Sequence, residues 1–336
     1  MTARSAGLTP SASPQPRRVL VMGTGQIGTF GLRHLRAAGH AVVAADAAPD
    51  QPFVDRYAGP GIPLHTADMR DSDALDALFA ATGPIDTVIG AAGLTGARAA
   101  ADPDAAHATA VDGVTGLLDA AARHGVQHAV VVSSLAVYDT SSGDPAALCE
   151  DTAAIRPATP YGRCLAAMEQ AVRARGTGPA CTVLRVAGVY GPNRFGHGSH
   201  SSRLVERMVY SAALGRPLRL TGLGADCDDM IYVRDVARAL TAAACDGGGP
   251  RTINVASGGL TGLDALAGAV RDVFGTLDLV LDPPVPARAP LLRPPLDVRR
   301  MTERLGPPAY DLATAIADFA ELADLVPAPV GAELPS

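Results

Sequence analysis

The chain has 336 residues with 34 acidic side chains, 28 cationic ones that are all arginine, and a net charge of −6. With no basic block, that balance argues against nucleic acid or an anionic membrane as the main partner. Hydrophobic residues make up 48%, enough for a sizeable core in one large domain or two smaller ones, yet no apolar run approaches the ~20 residues that span a bilayer.

Met1–Pro16 is rich in Ser, Pro and Ala and lacks a charged-then-apolar signal pattern, so it reads as a disordered tail and the cytoplasm as the expected location. The run Val19–Met22 suits a buried parallel strand, apolar on both faces. Gly23-Thr24-Gly25-Gln26-Ile27-Gly28 follows, opening a helical run to Gly39, and a second strand ends at Asp46. In such a turn Gly23 permits the tight bend, Gly25 lets backbone approach a pyrophosphate, and Gly28 lets helix pack close on strand. The helix start, with Gln26 and Ile27, offers free N–H groups to phosphates. Asp46 lies about 20 residues on, where a carboxylate accepts from the ribose hydroxyls. Strand, glycines, helix, strand and acid in that order identify a dinucleotide site. The acid would repel a 2′-phosphate and Ala47-Ala48-Pro49 supply no arginine, so the cofactor is expected to be NAD rather than NADP.

Further along, Ile62–Thr66 reads as a short strand, Asp71 and Asp73 open an amphipathic helix, and Asp86–Ala91 reads as a strand ending in small residues. A long helix over about 105–124 leads to the strand His128–Val132. Leu135–Pro160 reads as a polar loop, Tyr161–Arg175 as a helix and Ala180–Val186 as a strand. Alternation of this kind implies a doubly wound parallel α/β sheet with right-handed crossovers. After Tyr190 the rhythm breaks into Gly-, Pro- and His-rich loops, a helix near Ser202–Leu214, a short return to the sheet at Thr252–Val255 and a Pro-rich stretch Pro283–Pro295. The expected organisation is therefore a Rossmann domain over 17–190, a substrate-binding region over 191–325 that interleaves with the sheet, and a tail over 326–336. The five cysteines show no paired spacing, as expected of reduced thiols.

These residues resemble the extended short-chain dehydrogenase/reductase superfamily, of the NAD-dependent epimerase/dehydratase type, from about Arg17 to Leu325. Asp68-Met69 is similar to the family's adenine-contacting segment, and Val88–Gly93, with Ala91, Ala92 and Gly93, to the fourth-strand motif flanking the cofactor. Val131–Tyr138 matches the fifth-strand motif, which puts Ser134 in the active-site serine position, and Pro160–Arg163 matches the catalytic tyrosine motif at Tyr161. Leu184-Arg185, Val189–Pro192 and Asp229–Ala237 match later segments. The resemblance implies cofactor contacts at Val132, Tyr161 and Val186, and substrate contacts at Leu94, Ser134, Leu135, Ala136, Arg185 and Asp228.

Two departures shape the chemistry. The family's tyrosine is followed four residues later by a lysine that holds the nicotinamide ribose and lowers the phenol pKa, and here that residue is Leu165. Arg163, two residues on, points to another face. A phenol with a pKa near 10 stays protonated at neutral pH, so it donates a proton to a carbonyl readily and makes a scarce base. Leu135-Ala136 also stands where the family's 4,6-dehydratases carry an Asp-Glu pair. Asp228 occupies the place of a diphosphate-binding arginine, which disfavours a nucleotide sugar. The expectation is an NAD(H)-dependent ketoreductase acting on a small metabolite, in secondary metabolism and with a homodimer conceivable. The alternatives are a redox-neutral epimerase, isomerase or lyase that keeps its NAD bound, and a non-catalytic dinucleotide-binding protein. His197 and His200 sit at metal-ligand spacing but are read as loop residues, Cys164 as a packing residue, and Glu150-Asp151 as solvated charges, so no metal is expected.

Overall fold

The computed structural model describes residues 15–94, 96–140, 146–194, 197–222, 226–247, 251–283 and 293–325. Most of the expected N-terminal tail, the C-terminal tail and nearly all of the Pro-rich stretch lie outside them.

The first strand, β1 (Arg18–Met22), runs into the Gly-rich turn and α1 (Gln26–Ala37), then β2 (Ala41–Asp46). Val19, Leu20, Val21 and Met22 are all fully buried, as a strand covered on both faces requires. Asp50 caps α2 (Gln51–Ala58) by accepting from the Phe53 N–H. Then come β3 (Leu64–Thr66), α3 (Ser72–Thr82), β4 (Thr87–Gly90), α4 (Gly96–Ala101) and α5 (Pro103–His107). The long helix expected over 105–124 is interrupted: a π-helical turn at Ala108–Gly113 separates α5 from α6 (Val114–Arg123). Gly113 and Gly116 bring this segment so close to Met69 that a Cβ would lie 3.2 Å from the Met69 Cβ and 2.9 Å from its carbonyl oxygen, respectively.

A 3₁₀ turn at Leu135–Val137 follows β5 (His128–Ser134), and Thr159 caps α7 (Pro160–Ala174), with proline at its first position. The strands β6 (Ala180–Val186) and β7 (Gly188–Tyr190) lead to α8 (His200–Ala213), β8 (Leu218–Thr221), β9 (Cys227–Tyr232) and α9 (Val233–Cys245). The chain ends with β10 (Arg251–Val255), β11 (Leu260–Gly262), α10 (Leu263–Phe274), β12 (Leu279–Asp282), α11 (Arg299–Arg304) and α12 (Leu312–Leu322).

The main sheet is parallel with strand order β10-β6-β5-β4-β1-β2-β3. Order reverses between β1 and β4, the switch point where doubly wound sheets bind ligands at the strand C-termini. The C-terminal half returns β10 to this sheet, as Thr252–Val255 suggested. It also builds a sheet β11-β9-β7 and a parallel pair β12-β8 of its own. Among the described residues no helix is long and apolar enough to cross a membrane.

Candidate active site

Gly23 takes φ +97° and packs against β4, where a Cβ would lie 2.4 Å from the Ala92 nitrogen. A Cβ on Gly28 would come within 1.9 Å of the Gly23 carbonyl oxygen, so helix and turn close only with glycine at both places. Gly25 is different: a Cβ there meets nothing within 4 Å. The backbone at Gly25 thus borders open space at the N-terminus of α1, which is what a pyrophosphate needs. At the end of β2 the Asp46 Oδ2 accepts from the Thr24 N–H (2.6 Å) and Oγ1–H (3.2 Å), and Oδ1 accepts from the Ala48 N–H (2.9 Å). The carboxylate is held at the mouth of the groove with lone pairs left for ribose hydroxyls. These residues fit a dinucleotide. Ile27 packs on the core beside the turn, and Gln26 Nε2 donates to the carbonyls of Gly191 (2.8 Å) and Pro192 (3.3 Å).

Asp68, at the end of β3, is gripped by Arg70 through Nε and Nη2 (3.0 and 2.6 Å), which holds its carboxyl below the usual range. Met69 is buried against the π-helical turn, so of this pair Asp68 is the one left partly exposed. Arg56, the nearest cation downstream of Asp46 in sequence, is paired with Asp324.

Ser134 closes β5 and its Oγ accepts from the Ala136 N–H at 3.2 Å. Gly162, in the first turn of α7, sits where a Cβ would be 2.1 Å from the Ala136 carbonyl oxygen. That close approach brings the Tyr161 phenol into hydrogen-bonding reach of the Ser134 hydroxyl. Ala92, Gly93, Leu94, Val132 and Leu165 wall the pocket around Tyr161, and among the described residues only Tyr161 and Cys164 bring a hydroxyl or thiol to it. Burial pushes the phenol pKa up, against a smaller lowering from Ser134. Arg163 is exposed and donates to the Ala158 carbonyl, so it does not stand in for the missing ammonium. The Cys164 thiol is raised by burial and packs near the Pro103 carbonyl. Leu135 packs on the core. Val186 is buried in β6, in register with Ser134.

Arg185 is corrected. Expected to face substrate, it is fully buried and spent on structure. Its Nε and Nη2 bond the Glu169 carboxylate (3.0 and 2.6 Å), and its Nη1 donates to the Tyr138 hydroxyl (2.8 Å). Ser133 Oγ donates to the same Glu169 at 2.7 Å, and Tyr138 donates to Asn254 Oδ1 at 2.8 Å. A guanidinium at this depth needs a full complement of acceptors, and Glu169 on α7, the Tyr138 hydroxyl and the Glu150 carbonyl supply them. Glu150 is structural, accepting from the Asn254 N–H (2.9 Å), while Asp151 remains a solvated charge whose exposed carboxylate pairs with Arg300.

A larger cavity, about 740 Å³, opens among α8, β8, β9, β11, α10 and β12. Leu204, Met230, Leu263, Leu266 and Leu281 give it apolar walls, while Arg203, Arg207, Arg293, Asp226 and Asp228 bring charge. Asp228 is ion-paired with Arg293, and its Oδ1 is buried with no hydrogen-bond partner among the described residues. His200 lines this cavity, but among the described residues no cluster of His, Cys, Asp or Glu is placed to hold a metal. None of the five cysteines is in a disulfide. Arg293, 65 residues from Asp228, was not singled out from sequence, because no local pattern links the two.

The model of the NAD dependent epimerase/dehydratase family matches residues 19–256. The chain belongs to this family. It is 32% identical to the UDP-glucose 4-epimerase of Mycolicibacterium smegmatis, over 90% of this chain and 97% of that one. Among solved structures it resembles a UDP-glucose 4-epimerase from Stenotrophomonas maltophila, bound to NAD and formylated UDP-arabinopyranose, with a TM-score of 0.80 at 25% identity over 92% and 98% of the chains. It also resembles MoeE5 in complex with UDP-glucose and NAD, with a TM-score of 0.72 at 27% identity over 91% and 98%. The family is NAD-dependent, and the Gly-rich turn and Asp46 fit that dinucleotide.

Proposed function

We propose that this protein is an NAD(H)-dependent reductase of a carbonyl group in a small metabolite, with Tyr161 as proton donor and Ser134 as the donor that polarises the carbonyl. The observation that carries the reading is Tyr161 beside Leu165 in an apolar pocket, its pKa pushed up by burial. A phenol so placed is a proton donor at neutral pH and a poor base. NADH, when bound, supplies the hydride. The chain's residues supply the rest: Ser134 Oγ–H bonds the carbonyl oxygen, and Tyr161 gives that oxygen its proton as the carbon is reduced, leaving an alcohol and a phenolate that solvent reprotonates. Leu94, Leu135 and Ala136 border the substrate end. The Asp228–Arg293 pair supports a substrate other than a nucleotide diphosphate, since the carboxylate both engages the arginine and opposes an anion. Such a substrate fits secondary metabolism.

The second reading is redox-neutral epimerisation with retained NAD, favoured by the near full-length likeness to a UDP-glucose 4-epimerase. The purified protein should be assayed with NADH and a panel of ketones, and separately with UDP-glucose. Net NADH consumption with a ketone supports reduction. Interconversion of UDP-glucose and UDP-galactose without net NADH change would overturn it in favour of epimerisation.

A further inference from the structure

Two turns frame the adenosine end of the cofactor groove: Gly23–Gly25 after β1 and the segment after Asp46 that ends at Asp50. A segment from the other half of the chain lies across both. Gly191 and Pro192 are tied to the first residue of α1 through Gln26. Two residues later, Arg194 Nε donates to Asp50 Oδ2 at 2.7 Å, Nη2 reaches the Thr24 carbonyl at 3.5 Å, and the guanidinium lies 4.2 Å over the Phe53 ring. Asn193 Oδ1 accepts from the Arg194 N–H at 2.8 Å, which fixes where that side chain starts. Asp50 is itself anchored, because its other oxygen caps α2. The guanidinium therefore spans from Thr24, whose N–H donates to Asp46, to Asp50, the residue that caps the next helix.

We propose that Arg194 is a strap over the bound dinucleotide, joining the C-terminal half of the chain to the adenosine side of the groove and slowing cofactor release. The inference rests on the NAD site and not on the direction of the reaction. Three physical features carry it. Arginine's planar fork bonds Asp50 while its face stacks on Phe53, a geometry that lysine cannot copy. Its charge, partly offset by Asp50, lies beside a groove that receives a pyrophosphate and already holds the Asp46 carboxylate. Its backbone belongs to the segment after β7, so leaving the groove requires movement of the C-terminal half relative to the Rossmann half or a rotation of Arg194 away from Asp50. The cost of that movement adds to the barrier for release and so appears in the off-rate.

The test is release of NADH, followed by its fluorescence after dilution or on chasing with excess NAD. Arg194→Ala should speed release about tenfold or more, Asp50→Asn should speed it as well by unanchoring the same guanidinium, and Arg194→Lys should fall between Arg194→Ala and the unaltered protein. A contact that only supported the fold would lower the melting temperature with and without NADH alike. A strap instead diminishes the rise in melting temperature that NADH causes, while the cofactor-free value stays near that of the unaltered protein. Should Arg194→Ala fail to fold, Asp50→Asn and Arg194→Lys decide. Release no faster in the variants, from a protein that does bind NADH, overturns the strap and leaves the cofactor reading standing. An unaltered protein that binds no NADH overturns both.

Discussion

Leu165 stands one helical turn beyond Tyr161 on α7, and the two side chains wall the same apolar pocket. Where the family resemblance implies an ammonium, the pocket holds a branched hydrocarbon, and burial raises the phenol pKa. Reduction consumes the protonated phenol, so activity should stay level through neutral pH and fall only above about pH 10. Tyr161→Phe keeps the ring and removes the proton, and should lower the rate by roughly 10²–10⁴-fold. Leu165→Lys should raise alcohol oxidation more than carbonyl reduction, because a nearby cation favours the phenolate. Near-full activity in Tyr161→Phe would move the proton donor elsewhere.

Cofactor preference is predicted to depend on Asp46. Its carboxylate opposes a 2′-phosphate, and Arg56, the nearest downstream cation in sequence, is occupied by Asp324. Titration should show NADH binding more tightly than NADPH, and Asp46→Ala should narrow the gap mainly by weakening NADH. Tighter binding of NADPH by the unaltered protein would contradict the assignment.

The buried Glu169–Arg185 pair sets an acid limb of stability. Burial alone would raise the Glu169 pKa, but the Arg185 hydrogen bonds and charge outweigh it, with help from Ser133 and Arg173, and hold it below the usual value. A carboxylate with a depressed folded pKa contributes stability that is complete above its unfolded pKa of about 4.3 and is lost as pH falls through the lower folded value. Glu169→Ala should cost about 3–5 kcal/mol at neutral pH by leaving Arg185 buried without its partner. Glu169→Gln should flatten the loss of stability below about pH 4. Chemical denaturation across pH measures both.

The parts of this fold that sequence reveals are those written in consecutive residues. Val19–Met22, the three glycines and Asp46 lie within one βαβ unit, and each has a steric or electrostatic reason to be where it is. Ser134 and Tyr161 sit at strand and helix ends that a short motif marks. The π-helical turn is hidden because the small residues over 105–113 give no clear apolar phase for an inserted residue to disturb, and its packing through Gly113 and Gly116 on Met69 is a contact between segments distant in sequence. Arg185 misleads for a related reason: its motif neighbours border the site, but its own side chain turns toward Glu169 on α7. The pairs Asp228–Arg293 and Asp50–Arg194 join residues 65 and 144 positions apart, and charge pairing over such distances leaves no local trace.

Asp228 makes the sharpest statement about substrate. In the 740 Å³ cavity it pairs with Arg293 on one oxygen, while the other, Oδ1, is buried with no partner among the described residues. Burial pushes its carboxyl pKa up, and Arg293 works in the opposite direction. A diphosphate entering here would have to take Arg293 from that carboxylate and sit beside the negative charge left behind, a cost that a neutral ligand does not meet. Asp228→Asn keeps the shape, removes the charge and frees Arg293, so binding of UDP-glucose should tighten about tenfold, which is ~1.4 kcal/mol. Asp228→Arg should tighten it further, and added salt should erode the gain, as expected of an exposed phosphate contact. Calorimetry with UDP-glucose on the three proteins measures the series. Micromolar binding by the unaltered protein, unchanged in Asp228→Asn, would mean that Arg203 and Arg207 on the cavity wall carry the diphosphate instead, and the substrate would then be a nucleotide sugar after all.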